Sequence, residues 1–175
     1  MEELYLKKIE LEDEERVVDY IRELVAFGSN TNGLWYEDSE SYEEMLYNLR
    51  RHEGYVFTHY EQENVPCFQF LLVRRDDDRM VGSFSIRPYL TKSLDETYGG
   101  NIGYSIRPTE RRQGYASLGL KLAISKCREY NPKSDIILCC YKDNIGSRKT
   151  IIKNGGELIE EKRGILTEEK YKIGK

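Results

Sequence analysis

Between Ile106 and Ser117 the sequence reads IRPTERRQGYAS: a strand-like run stopped by proline, two adjacent arginines, one glycine, then small residues opening a helical pattern. That combination can hold phosphate oxygens. The first turn of a helix leaves backbone N–H groups unpaired at the positive end of the aligned peptide dipoles. Gly114 lets the backbone approach a ligand closely and take dihedrals closed to other residues, and Ala116 keeps the first turn free of bulk. Arg111 and Arg112 add positive charge at the rim. The residue types specify a pyrophosphate cradle. As a string, [QR]-x-x-G-x-[GA] arises by chance in about one chain in six of this length, so its position between a strand and a helix is what gives it weight. The competing nucleotide motifs, G-x-x-x-x-G-K-[ST] and a G-x-G-x-x-G following a strand, are absent.

The cradle requires a strand before it and a helix after it, and the chain supplies both. Gly100 to Ile106 reads as a strand stopped by Pro108. Tyr115 to Tyr130 reads as a helix, with Leu118, Leu122 and Ala123 on its buried face. Upstream lie a short strand, Tyr5 to Ile9, and a helix over Glu12 to Phe27 with Val17, Ile21, Leu24 and Val25 inward and Gly28 as its stop. A turn-rich loop runs from Gly28 to Glu40. A second helix begins at Ser41, where Ser41 and Glu44 form a capping box and Met45, Leu46 and Leu49 make the apolar face. Cys67 to Arg74 and Met80 to Leu90, separated by RRDDD, predict an antiparallel hairpin. Downstream come a buried strand, Asp135 to Cys140, a short helix from Asn144 to Asn154 ended by Gly155 and Gly156, and closing strands Glu157 to Glu161 and Glu168 to Ile173. The order is that of a mixed α/β fold.

At 175 residues the chain fits one domain, residues 1–175, with no repeat or low-complexity linker. Charged residues are 33% and the net charge is −4, which argues against a nucleic-acid partner. No apolar stretch approaches the roughly 18 residues of a membrane span. The acidic start, MEELYLKKIELEDEE, is unlike a signal peptide, and the expected compartment is the cytoplasm. Cys67, Cys127, Cys139 and Cys140 lack the spacing of a zinc site and are expected as reduced thiols.

From Gly100 through Gly156, and more loosely throughout, the sequence resembles the GNAT superfamily of acyl-CoA N-acyltransferases. Arg111-Arg112-Gln113-Gly114-Tyr115-Ala116 matches that family's [QR]-x-x-G-x-[GA] signature, and Ile106-Arg107-Pro108 matches the strand end before it. LCCYKDNIGSRKTIIKNGGE, Leu138 to Glu157, is similar to the family's fifth strand followed by N-x-x-S and a helix ending in glycine. A narrower resemblance, to bacterial predicted acetyltransferases of the superfamily, rests on Tyr98-Gly99-Gly100 and GYSIRPTERRQGYA. Histidines frequent in that group after IR of the third strand and after GG are replaced here by Pro88 and Asn101.

The resemblance implies a GNAT fold: a central, mostly antiparallel twisted sheet whose fourth and fifth strands splay apart, flanked by about four helices. It implies acetyl-CoA as cosubstrate, no metal, and transfer of acetyl to a primary amine of a small molecule or protein by direct attack in a ternary complex. The pantetheine arm would pair with the backbone of Tyr104 to Ile106, an N–H near Ile106 polarising the thioester carbonyl. Cosubstrate contacts are thereby expected at Ser105, Ile106, Arg107, Arg111, Arg112, Gln113, Gly114, Tyr115, Ala116, Ser117, Asn144 and Ser147. Capping the last helix is the other role open to Asn144. Arg148 and Lys149 either reach phosphates or form a solvated face.

Proton transfer is less well supplied. Gly100 stands where many members carry a carboxylate base, and Ile151 where many carry a tyrosine acid. Tyr141 and Tyr104 are the catalytic candidates, with simple packing as the alternative. Cys140 has no histidine nearby in sequence, since His52 and His59 fall in the second helix and the loop after it, and it reads as core. Trp35, Tyr36 and Glu37, with Tyr89, would wall the acceptor pocket, aromatic faces beside a carboxylate suiting an ammonium group; an ordinary acidic loop is the competing reading. A second function stays open on the gaps at Gly100 and Ile151: an acyl-CoA-binding sensor or interaction module with little turnover. Neither nucleic acid nor membrane is expected as a partner, and the protein is expected as a monomer or homodimer.

Overall fold

The apolar runs of the sequence form seven strands in a computed structural model that describes residues 3–32, 34, 41–54, 65–96, 100–163 and 167–174. Strands β1 (Leu4–Lys8), β2 (Phe68–Arg74), β3 (Arg79–Ile86) and β4 (Ile102–Ile106) make one sheet in that order, each pair antiparallel. Strands β5 (Ile136–Tyr141), β6 (Glu157–Lys162) and β7 (Glu168–Ile173) make a second antiparallel sheet in the order β5-β7-β6. Four helices of nine residues or more flank them: α1 (Glu14–Ala26), α2 (Tyr42–Gly54), α4 (Tyr115–Tyr130) and α5 (Ile145–Lys153), with the short α3 (Lys92–Glu96) before β4.

The sequence Phe68–Arg74 is apolar without alternation because β2 is covered on both faces. Phe70 and Leu72 join Phe84, Ile86, Ile102 and Ile106 in a core closed by Leu120, Ala123 and Ile124 of α4 and Ile151 of α5. Leu71, Val73 and Met80 face the other way, onto Val17, Tyr20, Ile21 and Leu24 of α1 and Met45 and Leu46 of α2. The capping box forms as read: Glu44 N–H donates to Ser41 Oγ and Ser41 N–H to a Glu44 carboxylate oxygen. Two local readings are corrected and one element was missed. Val25 is 64% exposed, because α1 ends at Ala26 with its inward stripe already complete at Leu24. In α4, Leu118 and Leu122 are only partly buried, and Leu120 fills the core instead. The α3 helix was not legible, having one turn and no apolar period.

The expected opening between the fourth and fifth strands is present: no ladder joins β4 to β5. One residue closes its inner end. Asn101 N–H donates to Ile137 C=O at 2.7 Å, Ile137 N–H donates to Asn101 Oδ1 at 2.7 Å, and Asn101 Nδ2 donates to Arg87 C=O at 3.0 Å. Its own C=O accepts from Arg87 N–H. A side-chain amide thus replaces a peptide group at the seam, and every hydrogen-bonding group of this buried asparagine is engaged. Beside it, Gly100 packs directly on β5: a Cβ there would lie 2.9 Å from Ile137 O and 3.1 Å from Leu138 Cα. No carboxylate base fits at that position.

Candidate functional site

Past Asn101 the strands separate around a cleft of about 820 Å³, lined by β4, the first turn of α4, the loop at residues 29–32 and one side of α5. The β4 edge is turned toward it. Arg107 N–H bonds to Val81 and Arg87 N–H to Asn101, placing the odd-numbered residues of β4 in the ladder with β3. The antiparallel alternation then directs the N–H and C=O of Tyr104 and Ile106 outward. Their carbonyls are engaged: Asn32 Nδ2 donates to Tyr104 C=O, and Arg111 Nε donates to Ile106 C=O at 3.1 Å. The outward N–H groups are what the edge offers a ligand.

The turn before α4 has the predicted chemistry. Gly114 takes φ +88°, a left-handed conformation that favours glycine, and the first intrahelical bonds run to its C=O from Ser117 and Leu118. No side chain caps this helix, whereas α5 is capped by Asn144 Oδ1, which accepts from Ser147 N–H at 3.1 Å. An uncapped helix start opening on a cleft fits a phosphate. The turn is braced from below: buried Glu110 accepts from Arg74 Nη1 (3.0 Å), Arg79 Nε (2.7 Å) and Gln113 Nε2 (3.2 Å), and Arg74 also donates to the Tyr115 hydroxyl (2.8 Å).

The structure brings Tyr104, Ser105, Ile106, Arg111, Arg112, Gly114, Tyr115, Ala116, Ser117, Asn144 and Ser147 to the cleft. Ser105 contributes little beyond its place there, its hydroxyl lying 2.8 Å from the Tyr20 hydroxyl and 3.1 Å from that of Ser83. Gln113 and Arg107 do not line it. The Arg107 side chain is 3% exposed and donates to Met80 C=O, Asp19 and Glu23. Glu23 also accepts from Thr109; although burial pushes its carboxyl up, the Thr109 N–H and the Arg107 guanidinium hold it below the usual range. Arg107→Met is therefore expected to lower stability by about 1–3 kcal/mol in urea denaturation, because it leaves Met80 C=O and the half-buried Glu23 without the charged donor that the buried guanidinium supplies. Unchanged stability would free Arg107 for a ligand.

Tyr104 and Tyr141 part company. Tyr141, the last residue of β5, is 47% exposed and does not line the cleft. Tyr104 stacks on Phe84, with ring centroids 5.4 Å apart, and its hydroxyl lies 2.8 Å from Ser147 Oγ. Burial pushes its phenol up to about 12, so it carries its proton at neutral pH. Burial also pushes the Cys140 thiol up to about 11 and that of Cys139 to about 12, which leaves both inert as nucleophiles.

On the acceptor side, Trp35, Tyr36 and Glu37 lie outside the described residues, as does His59. Tyr89 is 47% exposed in the segment after β3 and does not line the cleft. Sequence reasoning missed Ser29, Asn30, Asn32, Thr150 and Lys153 as lining residues. Of these, the 29–32 segment had a signal, a turn-rich run of small polar residues, but nothing local ties it to β4. Among the described residues, no group of three or more His, Cys, Asp or Glu side chains is placed to hold a metal ion. No helix of the described residues is long and apolar enough to cross a membrane.

Comparison with known proteins agrees with this geometry. The model of the acetyltransferase (GNAT) domain matches residues 3–157. Among solved structures, the chain is similar to the GNAT-family acetyltransferase of Bacillus anthracis (18% identity, TM-score 0.62, covering 99% of this chain and 96% of that one). It is also similar to the Salmonella typhimurium acetyl transferase described as modifying the N-terminal serine of 50S ribosomal subunit protein L7/L12 (15%, 0.66, 97% and 93%). A third is Mycobacterium smegmatis RimJ, solved in complex with CoA-disulfide (14%, 0.66, 97% and 81%). No curated protein matches the sequence.

Proposed function

Because the chain belongs to the GNAT acetyltransferase family, we propose that it transfers acetyl from acetyl-CoA to a primary amine of a protein or small molecule, by direct attack in a ternary complex. The carrying observation is that one cleft joins an uncapped helix start, an outward strand edge whose N–H donors have no partner among the described residues, and a protonated phenol. Acetyl-CoA supplies the activated acyl group as a thioester. The α4 turn would hold its pyrophosphate, and the N–H groups of Tyr104 and Ile106 would receive the pantetheine carbonyls and polarise the reacting one. Holding amine and acyl carbon in contact accounts for much of the acceleration. Tyr104 is assigned as the acid that gives a proton to the departing sulfur.

A base is not supplied by the described lining residues. Its one carboxylate, Glu110, is held between two arginines, and Gly100 admits no side chain. A water-relayed path for the amine's proton would need no close carboxylate. The same gap favours the sensor reading, which turnover separates.

The ribosomal-protein acetyltransferase among the structural neighbours makes protein N-termini the first acceptors to try. Thiol release from acetyl-CoA is measured against peptides beginning with serine or alanine, lysine peptides, polyamines, amino acids and aminoglycosides, with mass spectrometry of each product. Release with one class establishes transfer and names the acceptor. Bound acetyl-CoA with no release from any amine overturns transfer in favour of the sensor.

A further inference from the structure

The face of the first sheet that meets α1 and α2 changes character along β2. Leu71 and Val73 pack there against apolar side chains of both helices. Gln69, two residues before Leu71 and so on the same face, is 7% exposed, and its Nε2 is buried with no hydrogen-bond partner among the described residues. Its register partner on β3 is Ser85, whose own partner on β4 is Gly103. Arg87 lies two residues past Ser85 and is diagonal to Gln69, a separation of about 7–8 Å that long side chains span. Its Nε is also buried and without a partner among the described residues.

A buried donor left without an acceptor costs about 1–3 kcal/mol, and here two stand side by side. Arg74, Arg107 and Arg148 are each matched to a carboxylate, on Glu110, Glu23 and Glu169. Arg87 is half-buried and forms no ion pair with any described residue. Its Nη1 donates to Gly100 C=O at 3.3 Å, a neutral partner. A guanidinium drawn out of water and given no counter-charge is a place for an anion.

The pair adjoins the cleft at the end away from the α4 turn. Gly100, against whose carbonyl the Arg87 guanidinium lies, packs on Ile137 and Leu138 where β4 and β5 begin to part. Gly103 keeps the sheet bare beside Tyr104: a Cβ there would lie 2.7 Å from Ser85 Oγ and 4.0 Å from Asn32 Oδ1. Asn32 in turn lines the cleft and holds Tyr104 C=O. With a pyrophosphate at the α4 turn, beyond Ile106, an arm laid along β4 points its acyl end toward Asn101 and Gly100. An amine that attacks this end arrives beside Arg87.

We infer that Arg87 and Gln69 anchor a carboxylate carried by the acceptor, which makes the acceptor an aminocarboxylate. The inference rests on the transfer reading above and narrows its substrate class. The fork of a guanidinium matches the two oxygens of a carboxylate, and the Gln69 amide adds a further donor. Both residues bind and orient the acceptor, and neither moves its proton. A polyamine, by contrast, brings more positive charge to a cation that already lacks a partner.

Acetyl transfer by the full chain is measured on matched acceptors. Glycine, β-alanine and γ-aminobutyrate are set against their carboxamides, and a peptide with aspartate second against the same peptide with asparagine. At least one carboxylate is expected to exceed its amide by about 30-fold in kcat/KM, and the pair that does so identifies the source and spacing of the anion. Arg87→Gln is expected to erase the preference by raising KM for the carboxylate alone, with kcat and acetyl-CoA affinity kept. Gln69→Leu is expected to reduce it about fivefold while raising the melting temperature, because it removes an orphaned donor from the interior; a purely structural glutamine would do the reverse. Transfer with no preference for any carboxylate, or a preference that survives in both variants, overturns the anchor and leaves the transfer reading standing. Bound acetyl-CoA with no transfer to any amine overturns that reading and the anchor with it.

Discussion

Gly114→Glu is expected to weaken acetyl-CoA binding by at least about 100-fold, or about 2.7 kcal/mol, while the protein remains folded. The new carboxylate would face the uncapped start of α4, where it takes up the N–H groups and partial positive charge that a phosphate needs. Folding survives because a Cβ at 114 meets no atom within 4 Å. The left-handed backbone costs a non-glycine residue about 1–2 kcal/mol, which appears as a lowered melting temperature. Gly114→Ala carries that same strain without the charge and separates the two effects. Calorimetry reads the affinity and circular dichroism the fold. Affinity near wild type in the glutamate variant would remove the cradle from the α4 turn.

Tyr104→Phe is expected to lower kcat by about 100-fold, with little change in KM for acetyl-CoA, once an acceptor is in hand. The substitution keeps the ring on Phe84 and removes only the proton donor and its bond to Ser147. The pH profile adds a second check. Since burial raises the phenol to about 12, the acid form persists to high pH, and no alkaline fall from Tyr104 is expected below about pH 11. With an N-terminal peptide the rate should climb with the acceptor's own ionisation, near pH 8, as free amine replaces ammonium. An unchanged kcat in the phenylalanine variant would reduce Tyr104 to packing and to a bond that steadies Ser147.

What the sequence disclosed follows the range over which its signals act. The α4 turn, the Ser41–Glu44 capping box and the Asn144 cap depend on residues within a few positions of one another, and each stands where it was read. Arg107 shows the opposite case. Its signature position suggested a ligand contact, but its partners Asp19 and Glu23 are more than 80 residues away, and no local pattern announces them. Asn32 is tied to Tyr104 across 72 residues in the same way. Tyr141 fails to reach the cleft for a geometric reason: where a side chain at the end of β5 points depends on how far the strands have splayed, which spacing does not encode. Asn101, noted first for the histidine it replaces, proves to be the fastening between the two sheets.

The capped carbonyls of β4 bear on a different hazard. An open strand edge ordinarily invites another chain to add to the sheet, the route to aggregation. A peptide strand docks only where donors and acceptors alternate to match its own. The Tyr104 and Ile106 carbonyls are each held by a side chain, so Asn32 and Arg111 stand where an added strand would have to lie. A polypeptide pairing there would have to displace both side chains, whereas a ligand arm that offers carbonyls to the N–H groups would not. The side chains that hold the two carbonyls thereby guard the edge as well as shape it.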